Sequence, residues 1–178
     1  SPRSRALAHQ VRGRMDAIIV GIGTAIADDP QLTVRPPGPR APTRVVLDST
    51  ARLPIDGNLA QSARSTPVIV AATTSAPLDR VERLRALGCE VLILPEFPLG
   101  RVSIAGLLDV LGGRGMTNVL VEGGGRALGA FFDANEVDEV DIFVAPLIES
   151  GSHAFTPVRG GGFDTIAEGF RLEASTYT

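Results

Sequence analysis

Two sets of residues in this chain have the types and spacing to do chemistry. The first runs from Arg12 to Arg35, RGRMDAIIVGIGTAIADDPQLTVR. Thr24, Asp28, Asp29 and Thr33 put hydroxyls and carboxylates into a segment whose apolar residues, Ile22, Ile26, Leu32 and Val34, tie it to a core; Arg35 closes it. An anchored connection this rich in polar groups is where function usually sits, and a forked guanidinium suits phosphate or carboxylate. A plainer reading stands beside it, in which Ile26 to Pro30 is one helical turn ended by proline and the aspartates are turn formers. The second set is VLVEGGGRALGAFF, Val119 to Phe132. Its three consecutive glycines remove every Cβ where a strand turns into a helix, which opens amides at the positive helix end to a phosphate. It is not the G-x-G-x-x-G fingerprint, because after Gly123 and Gly125 the third position is Leu128; a tight turn without a ligand is the competing reading. Glu122 ends its strand at the carboxyl edge of a parallel sheet, where α/β ligands bind. A carboxylate held there costs desolvation energy unless a hydroxyl, amine or arginine meets it.

Apolar strand-like runs alternate with helix-like ones, the pattern of an α/β layer fold with a mostly parallel sheet. Ser1 and Pro2 suit the cap and first position of a helix to about Met15. Strands are expected at Asp16–Gly21, Arg44–Asp48, Thr66–Thr73, Cys89–Leu94, Asn118–Val121 and Glu139–Ala145. Helices are expected at Leu78–Leu87, Ser103–Leu111 and Ala127–Asn135. The first of these has Val81, Leu84 and Leu87 on one side and ends at Gly88. Glycine and proline make Glu149–Gly162 a long surface loop, and Phe170–Thr178 alternates as an edge strand.

Composition narrows the function classes. The chain has 178 residues, enough for one domain that buries about 70% of its unfolded surface. No apolar run approaches the length of a membrane span, and the opening SPRSRALAHQ is amphipathic and unlike a secretory leader. Net charge is −3, and all 17 basic residues are arginine, which argues against a nucleic-acid surface. The lone Cys89 and the distant His9 and His153 give no disulfide framework and no metal-ligand spacing. No G-x-S-x-G turn supports a serine nucleophile. A cytoplasmic, metal-free protein is expected.

Taken together, Arg12, GTAIADDPQLTVR (Gly23–Arg35), VVLDS (Val45–Ser49), VEGGGRALGAFF (Val121–Phe132) and VDEVDIFVAP (Val137–Pro146) resemble one family. It is the reductase domain of the bifunctional riboflavin-biosynthesis deaminase/reductase, which has the dihydrofolate-reductase-like fold. The match covers most of the chain in the family's order, while Leu53–Leu111 matches only in its strand–helix rhythm. The resemblance implies a three-layer α/β/α fold with a mostly parallel central sheet. It also implies NADPH as cofactor, with Thr24, Asp28 and Ser49 facing it and Gly124, Gly125, Arg126, Ala127, Leu128, Gly129 and Ala130 holding its phosphate. Arg126 is a candidate partner for a 2′-phosphate, and an arginine exposed to solvent is the alternative. Arg12, Leu32, Arg35 and Glu122 are implied to face the substrate, with Glu122 the catalytic candidate. That substrate is a ribosylamino-pyrimidinedione with a sugar phosphate, whose opened ribose takes hydride at C1′ to give a ribityl chain. Arg12 or Arg35 can clamp the phosphate bidentately. A homodimer is implied as well.

The family's domain also opens with a strand carrying a lysine and a Ser-x-Asp-Gly-type loop, and it closes with a further strand. This chain has no lysine, so residues 1–178 are expected to be a single reductase domain lacking its first and last strands, an excerpt or one piece of a longer or cleaved chain. The deaminase's H-x-E and P-C-x-x-C zinc signature has no counterpart here, and any deaminase is fused or associated in the full-length protein. Two other readings compete: a same-fold reductase acting on another pterin or pyrimidine, and a non-catalytic nucleotide-binding module.

Overall fold

Unbroken β-branched runs form the middle of a parallel sheet, because strands covered on both faces need apolar residues on both. The computed structural model describes residues 2–37, 40–97, 100–144, 158–162 and 169. Along the chain come α1 (Pro2–Arg12), β1 (Ala17–Gly21), α2 (Ile22–Asp28), β2 (Thr43–Leu47), α3 (Asn58–Gln61), β3 (Val68–Ala72) and α4 (Leu78–Ala86). They are followed by β4 (Glu90–Ile93), β5 (Glu96–Phe97), β6 (Arg101–Val102), α5 (Ile104–Gly113), β7 (Val119–Gly123) and α6 (Gly125–Asp133). Five strands make one sheet in the order β4-β3-β2-β1-β7, and β5 and β6 pair separately. Every pairing in the larger sheet is parallel.

Alternation along the strands divides the core in two. Ile18, Val20, Val46, Val68 and Val70 point to one face, where Leu59, Val81 and Leu84 of α3 and α4 cover them with Leu32 and Leu53. Ala17, Ile19, Val45, Ile69 and Ala71 point to the other, under Ile104, Leu107 and Leu111 of α5 and Phe131 of α6. The result is the expected helix–sheet–helix layering. Ser103 caps α5 by accepting from the Gly106 amide at 3.1 Å. Among the described residues no helix is long and apolar enough to cross a membrane.

The chain departs from the sequence expectations in a few places. α1 stops at Arg12 rather than Met15, where Gly13 and Arg14 close turns onto His9 and Val11. The connection after β1 is helical, as the plainer reading has it: α2 follows the strand directly and ends where Asp29 turns left-handed (φ 40°) before Pro30. Ile26, expected to anchor this segment, is 48% exposed, and Ala25 anchors it instead. The short α3 and the β5–β6 hairpin carry too few residues for a periodic signal. Residues 139–144 of the expected Glu139–Ala145 strand form no strand. Their alternation is suitable, but periodicity supplies only the faces, and a strand also needs a partner for its backbone groups. The expected edge strand Phe170–Thr178 and residues 149–157 of the expected loop lie outside the described residues.

Two packing details bear on how the functional elements are held. At the amino end of β1, the Asp16 carboxylate accepts from the amides of Thr117 (3.1 Å) and Asn118 (3.0 Å), and Arg40 donates to its other oxygen. This fixes where β7 starts against β1. On α6, Gly125, Gly129 and Asp133 share one face. Residues 159–161 lie along it: the Arg159 amide donates to the Gly125 carbonyl at 2.7 Å, and the Gly161 amide donates to Asp133 at 3.0 Å.

Each detail has an expected outcome. A Cβ on Gly129 would sit 1.6 Å from the Arg159 carbonyl oxygen, inside any real contact. Gly129→Ala should therefore lower stability by about 1–3 kcal/mol through overpacking; an unchanged thermal midpoint would show that 159–161 does not rest on α6. The amide bonds from Asn118, with lesser ones from Thr117, hold the Asp16 carboxyl below its ordinary value. Its contribution is then present above the unfolded value, about 3.9, and is lost as pH falls through the lower folded value. Asp16→Ala should lower the midpoint at neutral pH, and its gap from wild type should close under acid. A gap independent of pH would reject this.

Candidate active site

Three strand ends meet at the carboxyl edge of the sheet, the usual place for ligands in such folds. β7 reaches it with an irregularity: Ile19 pairs with Val121 but Val20 pairs with Gly123, so Glu122 is an extra residue facing no partner on β1. A bulge of this kind re-aims the side chain it carries. The Glu122 carboxylate meets Arg12 from the last turn of α1, with Nε donating to Oε1 and Nη2 to Oε2, both at 2.5 Å. Both side chains are four-fifths buried. The fork matches the carboxylate in plane and shares its desolvation cost. The third nitrogen of Arg12, Nη1, donates to the Thr33 carbonyl at 3.2 Å.

Residues 29–35 are pinned at every second position. Asn58 donates from its backbone to Asp29 Oδ1 (2.7 Å) and from its side chain to Oδ2 (2.8 Å) and to the Asp29 carbonyl (2.9 Å). Arg44 Nη1 donates to the Gln31 carbonyl at 3.3 Å, Arg12 holds Thr33, and the Arg35 amide donates to His9 Nδ1 at 3.2 Å. Between these points Leu32 turns inward, 4% exposed, with a left-handed φ of 51°. A leucine keeps that conformation only where its surroundings dictate it. The Arg35 guanidinium is steered by the Gln31 side chain, to which it donates. His9, Arg12, Gln31, Leu32, Thr33 and Arg35 line a cleft of about 260 Å³.

Beside the cleft the glycine turn opens α6. Gly124 has a φ of 83°, and a Cβ there would stand 3.0 Å from Thr24 Oγ1. A Cβ on Gly21 would stand 3.3 Å from that of Ala127, so the starts of α2 and α6 lie against each other. Only glycine fits this turn, and the first amides of α6 have no acceptor within the helix. The structure thus brings Arg12, Leu32 and Arg35 together at the cleft, with Glu122 behind them on Arg12, and Thr24 together with Gly124 and Ala127 at the turn. Asp28 lies exposed at the far end of α2, and Arg126 is exposed on α6. Leu128 is half-buried, Gly129 lies under Arg159, and Ala130 packs toward the α5 side of the core. The helix start is therefore open to a ligand while its next turn is given to packing.

Ser49 follows β2, half-buried, its carbonyl accepting from the Thr73 amide (3.1 Å) and hydroxyl (3.0 Å). Asp48 before it is fully buried. It accepts from the Leu53 amide at 2.7 Å, and burial pushes its carboxyl above the usual value despite that bond. Arg44 is 1% exposed, with only neutral acceptors bonded to it: Ser62, Thr66, Pro67 and Gln31. Burial lowers its pKa accordingly. The sequence reading does not single out His9, Arg44, Asn58 or Thr73. His9 carries a signal, three residues before Arg12 on one helix face. So does Arg44, a charge inside an apolar strand run. Among the described residues no group of three or more His, Cys, Asp or Glu could hold a metal ion.

Comparison with known proteins places the chain in a family. The RibD C-terminal domain family matches residues 1–176. The riboflavin biosynthesis protein RibD of Actinobacillus pleuropneumoniae is 34% identical over 170 residues, 96% of this chain and 45% of that protein. The 2,5-diamino-6-ribosylamino-4(3H)-pyrimidinone 5′-phosphate reductase of Methanothermobacter thermautotrophicus is 38% identical over 169 residues, 93% of this chain and 75% of that protein. Among solved structures, RibD of Acinetobacter baumannii aligns with a TM-score of 0.74 and 26% identity, over 96% of this chain and 46% of that one. The chain thus spans about half the length of the RibD proteins it matches. Its five-stranded parallel sheet, with helices on both faces, is the dihydrofolate-reductase-like arrangement of those reductase domains. With family match, sequence identity and overall superposition in agreement, the chain belongs to the RibD C-terminal domain family.

Proposed function

We propose that this chain is the reductase of riboflavin biosynthesis that reduces the ribosyl group of 5-amino-6-(5-phosphoribosylamino)uracil to the ribityl product with NADPH. The observation that carries the reading is the Arg12–Glu122 fork, set at a strand end between the Arg35 cleft and the glycine turn. The turn fits a nucleotide phosphate, since a side chain at Gly124 would press on Thr24 and the helix start favours an anion. Thr24, Ser49 and the open helix start, Gly124 to Ala127, form the cofactor side. Gly129 and Ala130 are taken up by packing and Asp28 stands exposed at the far end of α2, so these support the turn rather than line it. When bound, NADPH supplies the hydride.

The chain's own residues bind, orient and exclude water. Each Glu122 oxygen takes one N–H from Arg12 and keeps another lone pair for a substrate hydroxyl or amine. Held there, the carboxylate stabilises the positive charge that develops when the ribose opens to an iminium-like form. Arg12 has its fork committed to Glu122, so of the two arginines Arg35 takes the sugar phosphate. Leu32, locked by its neighbours, floors the cleft and keeps water from that side.

A second reading concerns the ring alone. The Methanothermobacter relative is named for a diamino-pyrimidinone rather than a uracil, so this chain can act before or after deamination of the ring. We place the protein in the cytoplasm as a homodimer, with residues 1–178 forming one reductase domain joined to or associated with a deaminase. A structural neighbour from Thermotoga maritima is a combined diaminohydroxyphosphoribosylaminopyrimidine deaminase and 5-amino-6-(5-phosphoribosylamino)uracil reductase.

Titration of NADPH against NADH should raise the thermal midpoint with micromolar affinity for NADPH and weaker affinity for NADH; unfolding unaffected by either would favour a fold that had lost its chemistry. Glu122→Gln should cost about 100-fold or more in turnover, and it should also lower the midpoint, because it leaves the part-buried Arg12 guanidinium facing a neutral amide. Equal turnover would remove Glu122 from the reaction. Assay of the uracil and the diamino-pyrimidinone side by side decides the ring.

A further inference from the structure

We infer that His9 is a positioning residue of the substrate cleft, holding the Arg35 backbone through Nδ1 so that the guanidinium meets the substrate's phosphate from one fixed direction. The inference rests on the reading of Arg35 as the phosphate-binding residue and adds what orients it. The geometry begins with α1. None of its residues is fully buried, so apolar packing does not set where the helix lies. Its named contacts to the cleft come from its last turn. His9 Nδ1 accepts from the Arg35 amide at 3.2 Å, and Arg12 Nη1 donates to the Thr33 carbonyl at 3.2 Å.

Residues three apart share a helix face, and residues two apart share a side of an extended chain. His9 and Arg12 therefore grip Arg35 and Thr33 as a two-point clamp. Asp29 and Gln31 hold the loop before Thr33; without His9 the chain beyond Thr33 can pivot, and with it the direction is set through Arg35. The bond also fixes the ring's chemistry: Nδ1 accepts, so the proton of neutral His9 is on Nε2. The same ring lines the cleft. Arg35 itself is exposed, and among the described residues its side chain is steered by Gln31 alone. A free amide at Arg35 would let that side chain swing with its backbone.

The test uses isosteres in the full-length protein. Asparagine puts an amide oxygen at the δ position, where it replaces the Nδ1 acceptor; glutamine puts it one bond further out and does not. His9→Ala and His9→Gln should raise KM for the phosphorylated pyrimidine about 5- to 10-fold, the worth of one hydrogen bond. Turnover at saturation and NADPH affinity should hold, and His9→Asn should stay within about 2-fold of wild type. Ribose 5-phosphate, titrated calorimetrically, should rank the four proteins in the same order without any turnover. His9→Asn as weak as His9→Ala in both measurements, or no change in any variant, would overturn the inference. Failure of the reductase reading looks different: wild type would not turn over the pyrimidine, while the ribose 5-phosphate ranking would still decide His9.

Discussion

The Arg12–Glu122 fork is the constraint on which the site's geometry depends. It joins residues 110 positions apart, from a helix with no fully buried residue and a strand of the sheet. A lone carboxylate at Glu122, four-fifths buried, would be expensive, and so would a lone guanidinium at Arg12. Paired in plane they satisfy each other, and α1 is thereby drawn to the carboxyl edge of the sheet. The pairing also assigns chemistry. Arg12 spends its fork on Glu122 and Nη1 on Thr33, so its nitrogens are already committed within the chain. Glu122 spends one lone pair per oxygen on Arg12 and keeps another on each.

The same economy governs residues 29–35. A connection with few apolar residues has little to bury, so its shape must come from hydrogen bonds. Asn58, Arg44, Arg12 and His9 supply them at alternate residues, and Leu32 is the apolar plug between them. Arg44 shows the cost of the arrangement. Burying a guanidinium among neutral acceptors is unfavourable, as its lowered pKa reflects, yet it ties the loop to the turn at Ser62–Pro67 in one residue. A hydrophobe of similar volume at that position would pack as well and hold nothing.

The layered fold was legible because the central strands carry apolar runs, Ala17–Val20, Val45–Leu47 and Val68–Ala72, and such runs admit few other places than a buried parallel sheet. Glu122 and the glycine turn were legible for a related reason: polar or Cβ-less residues at the end of such a run stand out. What escaped was local. Ile26 reads as an anchor by type, but α2 rotates it outward, and only the helical phase shows that. The bulge at Glu122 has no sequence mark, since one extra residue in a ladder is visible only against the partner strand. Residues 139–144 failed in the opposite direction, carrying the alternation of a strand without a ladder. The pinning residues His9, Arg44 and Asn58 were hidden because their partners are backbone groups, which every sequence has.

The bulge explains how two different demands are met within three residues. Gly123 must stay in register with Val20 so that the turn at Gly124 meets Thr24. Glu122 must leave the ladder to reach Arg12. A regular strand would pair Val20 with Glu122 and move the glycine turn one residue along, pulling the start of α6 away from α2. By letting one residue oppose nothing, β7 delivers the carboxylate to the cleft and the glycine turn to α2 together. Moving the bulge by a single residue would therefore disturb both halves of the site, which makes the ladder irregularity, more than any one side chain, the feature that couples them.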